Sequence, residues 1–290
     1  HTPQSPILSG LVGSEMCIRD RDIQELSSLL KRVKNKPEIF AKIEDQQGMD
    51  SIEVITKHSD GLLVARGDLG IETDITNLPY VQRKMVKVAL QSGKKCIVAT
   101  QLLESMVTNP HPTRAEVSDV ANAVYEGADA LMLSAETTVG DFPLKCVKYL
   151  SDIAKNAERS ETLHFENNMK SVSDWHTLAS TSVKLSKRIN ADAIVVLTRS
   201  GFTANLISSA RPRVPVYAFT NNRSTQNRLS MASSLENIFL TFKKDHEKTI
   251  SAAFDILKKD FRLRGKKKFI VISGIFSDEY ADALQIRFLR

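Results

Sequence analysis

The hydrophobic residues in the first half of the chain follow two alternating spacings. Short apolar runs bounded by polar or glycine residues are typical of buried strands, and four of them occur here: EIFAKIE, DGLLVARGD, KKCIVATQ and DALMLSAE. Apolar residues at helical spacing separate these runs, in MDSIEVITKH, YVQRKMVKVALQSG and SDVANAVYEGA. Strands and helices that alternate at a spacing of roughly 30 residues form parallel βα units. The pattern therefore predicts an α/β fold, either a (β/α) barrel or a doubly wound parallel sheet.

A second alternation follows a polar, aperiodic stretch from Glu161 to Ser173, which indicates a linker. Four further strand patterns occur beyond it, with helical patterns between them: DAIVVLT, VPVYAFT, NIFLTF and KKFIVIS. This part of the sequence predicts a smaller α/β domain with a mainly parallel sheet of its own. We therefore place one domain at residues 22–165 and a second at residues 166–290.

The first 21 residues continue neither alternation. SPILSGLVGSEMCIRDR has an apolar centre, but it lacks the basic start and the small-residue cleavage site of a signal peptide. Its last seven letters, EMCIRDR, resemble the translation of a transposon end that is used to prepare sequencing libraries. We therefore predict that residues 1–21 are not native sequence. The alternative is a genuine loop with a short strand.

The composition narrows the class of protein. With 42% hydrophobic and 26% charged residues among 290, the chain has the composition of a folded globular protein. The net charge is +6, but the basic clusters lack interleaved aromatic residues, so we expect no nucleic-acid partner. No apolar stretch approaches the roughly 18 residues of a membrane span, so we expect no membrane partner. The three cysteines show no metal-binding spacing, which favours a reducing, cytoplasmic location.

Polar side chains occur where each of the four apolar runs ends: Lys42 and Glu44 in the first, Asp68 after the second, Thr100 after the third, and Ser134 and Glu136 after the fourth. Residues two apart in a strand point to the same side, so Lys42 and Glu44 are neighbours. In parallel α/β folds the carboxyl ends of the strands carry the working residues. We therefore expect these side chains to converge at one mouth of the predicted fold.

Each of these groups also has a purely structural explanation. Lys42 and Glu44 can form a surface ion pair, Asp68 can cap the next helix, and Thr100 and Ser134 can end a strand with hydrogen bonds. A lysine and a glutamate inside an apolar strand are, however, costly to bury without partners. Two carboxylates from neighbouring strands suit Mg²⁺ or Mn²⁺, and a lysine adds positive charge for a phosphate. The combination favours phosphoryl transfer or enolate chemistry.

Three stretches of this sequence resemble the pyruvate kinase family: IFAKIEDQQG, SDGLLVARGDLGIE and VATQLLESMVTNPHPTRAEVSDVANAVYEGADALMLSAETTVG. The resemblance is strong from Asp22 to Ser160 and weaker through the second domain. It implies a TIM barrel with an inserted lid domain and a C-terminal α/β domain, assembled as a homotetramer. The implied activity is phosphoryl transfer from phosphoenolpyruvate to ADP, which gives pyruvate and ATP in glycolysis.

The resemblance implies a role for each charged group at the strand ends. Lys42 matches the lysine that stabilises the phosphoryl group during its transfer. Glu44 and Asp68 match the two protein ligands of the divalent metal, Mg²⁺ or Mn²⁺. Asp45 departs from the family, in which asparagine or another polar or basic residue is common, and it adds negative charge beside a metal ligand.

The same resemblance implies how the substrate is held and protonated. The backbone around Arg66, Gly67 and Asp68 matches the cradle of the substrate carboxylate, a use of free amides at the start of a helix. Thr100 matches the threonine beside the methylene carbon, which takes part in protonating enolpyruvate. Ser134 and Glu136 match the next strand-end group, with supporting or proton-relay roles.

A closed TIM barrel has eight strands and about 250 residues, whereas only four strands precede the predicted linker. The resemblance implies that the missing half supplies the lid, further phosphate contacts and much of the ADP site. A K⁺ ion is expected for the family, and its site also lies in the missing half. We therefore expect this chain alone to be an inactive fragment with an exposed sheet edge.

The second domain contains a candidate phosphate loop. VLTRSGFTANL follows a strand and opens a helix, so we expect Thr198, Ser200, Gly201 and Thr203 to hold a phosphate of an allosteric effector. The alternative is a plain capped turn. ISGIFSDEYADALQIRFLR lacks the glycine-rich loop that completes this pocket in the family, so activation by fructose 1,6-bisphosphate is not expected.

Two other classes of protein share parts of this pattern. A metal-dependent pyruvate aldolase or phosphoenolpyruvate mutase also uses carboxylates, Mg²⁺ and an enolate in such a barrel. A non-enzymatic alternative treats the second domain as an effector-binding or assembly module that carries a relic half barrel.

Overall fold

The computed structural model describes residues 20–31, 33, 37–160, 163–164, 173–274 and 282–289. The chain divides into two compact units, His1–Phe165 and Glu166–Arg290. The predicted non-native segment, residues 1–21, lies outside the described residues except for its last two, which begin the first helix. Residues 275–281, part of the stretch predicted to lack the family's glycine-rich loop, also lie outside the described residues.

The first unit alternates strands and helices. Its strands are β1 (Phe40–Ile43), β2 (Gly61–Ala65), β3 (Lys95–Ala99) and β4 (Ala130–Met132). Its helices are α1 (Asp20–Leu30), α2 (Gln46–Asp50), α3 (Ile52–His58), α4 (Arg66–Glu72), α5 (Leu78–Gln91), α6 (Arg114–Glu126), α7 (Ala135–Thr138) and α8 (Pro143–Ala157). Two short 3₁₀ turns span Ile75–Asn77 and Glu104–Val107.

The four strands of the first unit form one parallel sheet in the order β1-β2-β3-β4. Leu62, Val64 and Val98 in its centre are fully buried, as expected for parallel strands that are covered on both faces. The predicted run of four βα units is confirmed. Because the strands are parallel, all four end at the same edge of the sheet, and the loops that follow them face each other.

Helix α6 has a defined capping structure at each end. Thr113 and Glu116 form a capping box at its start. Gly127 ends the helix with φ of 93°, in the left-handed region that glycine adopts without strain. The next strand, β4, therefore begins at a defined point three residues later.

The second unit also has an α/β fold, with a five-stranded sheet. Its strands are β5 (Ala193–Leu197), β6 (Val216–Thr220), β7 (Leu235–Phe239), β8 (Lys267–Ser273) and β9 (Ala283–Leu289). Its helices are α9 (Asp174–Arg188), α10 (Phe202–Ser209), α11 (Arg223–Leu229) and α12 (His246–Lys259). The sheet order is β7-β6-β5-β8-β9, with every pairing parallel except that of β9 with β8. The predicted mainly parallel sheet is confirmed, and β9 is a strand that the sequence pattern did not predict.

Two apolar layers cover the two faces of this second sheet. Helices α9 and α10 pack on one face, where Ile194, Val196 and Ile270 are fully buried. Helix α12 packs on the other, against Phe219 and Phe269. Within the described part of the chain, no helix combines the length and the apolar character that crossing a bilayer requires.

Candidate active site

A lysine and two carboxylates meet at the ends of β1 and β2. Lys42 lies in β1, Glu44 follows that strand directly, and Asp68 lies in the first turn of α4, which begins where β2 ends. The Lys42 ammonium contacts a Glu44 carboxylate oxygen, and its Nζ lies 3.3 Å from Asp68 Oδ2. The Asp68 side chain is 51% exposed, so the cluster opens to solvent. The structure thus brings together the three charged residues that the sequence placed at this edge.

The charges in this cluster perturb one another. Partial burial lowers the pKa of Lys42, but hydrogen bonds and charges from Glu44 and Asp68 outweigh it and raise that pKa above its ordinary value. Burial raises the pKa of Glu44, and the neighbouring Asp68 raises it further, although Lys42 opposes both. Lys42 is therefore a firmly held ammonium ion at neutral pH.

The same carboxylates have the chemistry of a divalent-metal site. Glu44 and Asp68 come from neighbouring strands and converge on one cation, the ammonium of Lys42. Among the described residues there is no cluster of three or more His, Cys, Asp and Glu that fits a metal. A pair of carboxylates fits Mg²⁺ or Mn²⁺, since these ions keep several positions for water and substrate oxygens.

The loop after β3 has an unusual backbone. Thr100 and Gln101 both have positive φ, of 68° and 52°, and this region disfavours β-branched residues. The Thr100 hydroxyl accepts a hydrogen bond from the Gly67 amide at 2.9 Å and donates one to the Ala99 carbonyl at 2.7 Å. The hydroxyl is thereby held between β3 and the start of α4.

Arg66 does not extend its side chain toward the lysine cluster. Only 5% of the residue is exposed. Its Nε and Nη2 donate to the Thr100 carbonyl at 3.1 and 2.6 Å, and its Nη1 contacts Asp119 Oδ2 at 2.5 Å. Of the predicted cradle, it is therefore the backbone of Arg66, Gly67 and Asp68 that lies at the strand ends, with the guanidinium directed inward.

The loop after β4 is held by a buried carboxylate. Glu136 is 1% exposed. Its two oxygens accept hydrogen bonds from the backbone amides of Leu103, at 3.1 Å, and Ser134, at 2.7 Å. Glu136 thus joins the loops that follow β3 and β4 and holds the backbone of Ser134, the residue before α7.

Sequence reasoning missed several polar residues that support this edge. Gln82 bridges Arg66 and the buried Glu126, with Gln82 Nε2 2.9 Å from Glu126 Oε2. Asp119 pairs with Arg66 across 53 positions of sequence, so no local pattern marks it. Glu116 is different, because the Thr-x-x-Glu signature of a capping box was visible in the sequence. Its carboxylate also accepts hydrogen bonds from the amide and hydroxyl of Ser105.

The candidate phosphate loop of the second unit forms a tight turn before α10. Gly201 has φ of 87°, and its amide donates to the Thr198 hydroxyl oxygen at 3.0 Å. The Ser200 hydroxyl accepts from the Phe202 amide at 3.3 Å, and Thr203 is buried in the first turn of the helix. The four predicted residues lie in one turn, and two of its amides are engaged within it. Phosphate binding by this loop stays a prediction.

Four parallel βα units with a lysine and carboxylate cluster at their carboxyl ends, next to a separate α/β unit, are features that enzymes of the (β/α)-barrel class share. Residues 11–147 match the family model of the pyruvate kinase barrel domain, and residues 176–286 match that of the pyruvate kinase alpha/beta domain. The chain belongs to the pyruvate kinase family, as its sequence predicted. The first match begins at residue 11, and the non-native origin of residues 1–21 stays a prediction.

Curated relatives agree with this assignment. The chain is 37% identical over 260 residues to pyruvate kinase of Methanocaldococcus jannaschii, which covers 87% of the chain and 56% of that protein. It is 39% identical over 236 residues to pyruvate kinase of Bacillus licheniformis, covering 80% and 40%. It is 37% identical over 284 residues to plastidial pyruvate kinase 2 of Arabidopsis thaliana, covering 92% and 48%. The chain spans about half the length of the curated relatives it matches.

Proposed function

We propose that the protein containing this chain transfers the phosphoryl group of phosphoenolpyruvate to ADP, giving pyruvate and ATP in glycolysis. The observation that carries the proposal is the Lys42 ammonium held between Glu44 and Asp68 at the strand ends. Membership of the pyruvate kinase family favours this reaction over an aldolase, a mutase or a purely structural half barrel.

Lys42 contributes positive charge to the phosphoryl group while it passes between substrates. Catalysis of such a transfer consists mostly of positioning and of stabilising charge that develops on the phosphoryl oxygens. Hydrogen bonds and charges from Glu44 and Asp68 keep Lys42 protonated, so its charge is available at neutral pH. Glu44 and Asp68 would hold Mg²⁺ or Mn²⁺, which when bound neutralises charge on phosphate and enolate oxygens.

The substrate carboxylate lies against the backbone of Arg66, Gly67 and Asp68 in this proposal. The Thr100 hydroxyl, held beside the Gly67 amide, then takes part in protonating the methylene carbon of enolpyruvate. Ser134 supports the same edge from the end of β4, with its amide fixed by the Glu136 carboxylate. Three loops of one sheet edge thereby bind, orient and protonate a single small substrate.

The test is a Lys42→Met variant of the full-length protein, assayed for ATP formation from phosphoenolpyruvate and ADP with Mg²⁺ and K⁺. We expect kcat to fall by about 100-fold or more, because removal of one preorganised charge from a transition state costs that much. Lys57→Met is the matched control, since Lys57 lies exposed on α3, and it should keep full activity. A Lys42→Met enzyme within tenfold of the wild type would contradict the assignment.

The finer properties of the complete enzyme are part of the same proposal. We infer a requirement for Mg²⁺ or Mn²⁺ and for K⁺, a homotetrameric assembly and a cytoplasmic location. Dialysis against a chelator, followed by return of single ions, tests the metal requirement. Light scattering of the purified full-length protein measures the assembly, and a monomer at assay concentration would contradict it.

We also infer that a phosphorylated effector binds the turn before α10. Changing Ser200 and Thr203 to alanine in the full-length protein should abolish activation by phosphorylated sugars or nucleotides while leaving unactivated turnover intact. Unchanged activation in this variant would favour the alternative of a plain capped turn.

A further inference from the structure

The turn after β3 adopts a conformation that its own residues disfavour. Thr100 and Gln101 are consecutive non-glycine residues with positive φ, and a β-branched threonine is a rare occupant of that region. Such conformations persist only where the surrounding structure enforces them, and they concentrate at functional sites. The groups that enforce this one are therefore of interest for the proposed reaction.

Arg66 holds the carbonyl of this turn, while the Gly67 amide holds its hydroxyl. Two of the Arg66 guanidinium nitrogens, Nε and Nη2, donate to the single carbonyl oxygen of Thr100, at 3.1 and 2.6 Å. A planar guanidinium offers these two donors in a fixed fork, so the pair restrains the orientation of the peptide as well as its position. The carbonyl held in this way belongs to the residue whose hydroxyl the proposed reaction uses.

The guanidinium is in turn oriented from the side away from Thr100. Asp119 Oδ2 lies 2.5 Å from Arg66 Nη1, and Gln82 Oε1 lies 3.4 Å from the same nitrogen. Gln82 is itself fixed by the buried carboxylate of Glu126. With 6% of its side chain exposed, Arg66 depends on Asp119 for a countercharge.

We propose that Arg66 and Asp119 are positioning residues that hold the Thr100 hydroxyl in place for protonation of enolpyruvate. In that step the methylene carbon forms a bond to a proton from the Thr100 hydroxyl, directly or through one water. The enolate oxygen becomes the ketone oxygen, and solvent returns a proton to Thr100. No oxidant, reductant or further reactant takes part. The inference rests on the proposed function, in which Thr100 serves this proton transfer.

A merely structural ion pair between Arg66 and Asp119 predicts a different result from a positioning pair. If the pair only stabilises the fold, its loss affects catalysis equally whether or not Thr100 carries a hydroxyl. If it positions that hydroxyl, its loss matters only when the hydroxyl is present. A double-mutant cycle with Thr100 separates the two explanations.

The experiment uses the full-length protein with Asp119→Asn, Thr100→Ala and the double variant. We expect Asp119→Asn to lower kcat about tenfold and to change the KM for phosphoenolpyruvate less than twofold, because the defect is one of geometry in the reacting complex. In the Thr100→Ala background the same substitution should change kcat less than twofold. Equal losses in both backgrounds, or no loss in the first, would overturn the proposal.

Two further variants guard against a trivial loss of folding. Arg66→Lys keeps the charge but removes the fork of donors, so it should reproduce the Asp119→Asn defect. Glu38→Gln is the matched control, because Glu38 pairs with the buried Lys95 at the opposite end of β3 and far from Thr100 in the sheet. It removes one carboxylate charge from a comparable ion pair and should leave kcat unchanged. If Glu38→Gln lowered kcat as much as Asp119→Asn does, the loss of activity in Asp119→Asn would be explained by reduced stability, and the proposal would be overturned.

A second readout isolates the proton step. Exchange of the methyl protons of pyruvate with deuterated solvent requires proton transfer at the same carbon without net phosphoryl transfer to ADP. Asp119→Asn should slow this exchange by the same factor as kcat, and an unaffected exchange rate would overturn the proposal. If the wild-type protein makes no ATP from phosphoenolpyruvate and ADP, the proposed function fails first, and that outcome is distinct from an active enzyme insensitive to Asp119.

Discussion

Replacing Glu136 by glutamine should destabilise the first unit through two backbone hydrogen bonds. The Glu136 carboxylate is almost fully buried and accepts from the amides of Leu103 and Ser134, one with each oxygen. Glutamine has nearly the same shape, but it offers one oxygen and one NH₂ group. One of the two backbone amides therefore meets another donor instead of an acceptor.

The expected magnitude follows from these two contacts. A hydrogen bond to a charged group contributes about 1.5 to 3 kcal/mol, and a neutral one about 1 kcal/mol. Glutamine loses one charged hydrogen bond of Glu136 and weakens the other. It also avoids the cost of burying a charge, which offsets part of the loss. We expect a net destabilisation of about 2 kcal/mol, well above the roughly 0.5 kcal/mol of ordinary surface substitutions.

The assay is urea unfolding of this chain, followed by far-ultraviolet circular dichroism. Fluorescence of the single tryptophan, Trp175 in α9, follows the second unit and provides an internal reference. Amide hydrogen exchange should rise at Leu103 or Ser134 in the variant. Glu53→Gln, on the exposed side of α3, is the control and should match the wild type. A Glu136→Gln protein within 0.5 kcal/mol of the wild type, with unchanged exchange, would refute this account of the loop.

Two other predictions concern the same unit. Burial raises the pKa of Glu116, but hydrogen bonds from Ser105 and Thr113 lower it by more, so the folded-state pKa lies below the ordinary 4.5. The stabilisation that the ionised Glu116 gives the folded state is thus complete above pH 4.5 and is lost as the pH falls through the folded-state pKa. The difference in free energy of unfolding between wild type and Glu116→Gln should therefore shrink below pH 4.5. A difference that does not change with pH, measured by urea unfolding, would contradict this. Gly140→Ala would place a Cβ 2.6 Å from a backbone carbonyl oxygen of α7, and should cost about 1 to 3 kcal/mol. At Gly70 the added Cβ of Gly70→Ala would have its nearest neighbour 3.9 Å away, so this variant should be tolerated. Equal melting temperatures of the Gly140→Ala and Gly70→Ala proteins would contradict this expectation.

Much of the fold was predictable because parallel strands leave a strong local signal. An apolar run of four or five residues flanked by polar ones is enough to place β2 or β5, and the alternation with helices then implies parallel pairing. Strand β9 escaped prediction because Gln285 and Arg287 interrupt its apolar residues. It lies at the edge of the sheet, where its Ile286 and Phe288 side chains are exposed. The apolar pattern identifies central strands better than edges.

The residues at the strand ends were predictable for a different reason. Lys42 lies within β1 and Asp68 lies three residues after the end of β2, so the neighbouring sequence alone locates both at the same edge of the sheet. Their mutual contact follows from the parallel register, which places the ends of β1 and β2 side by side. The spacing of apolar and charged residues therefore suffices to predict the location of groups that lie in a strand or just after it.

The groups that orient this site obey no such local rule. Nothing in the letters VATQ indicates that Thr100 has a positive φ or that its carbonyl accepts hydrogen bonds from Arg66, 34 positions earlier. Arg66 itself is a strand-end residue whose sequence position suggests a substrate contact, yet its guanidinium is directed inward by Asp119. A polar residue after a strand can thus present its backbone at the strand end while its side chain supports the fold. Which way that side chain points depends on partners dozens of positions away, and only the folded structure brings those partners together.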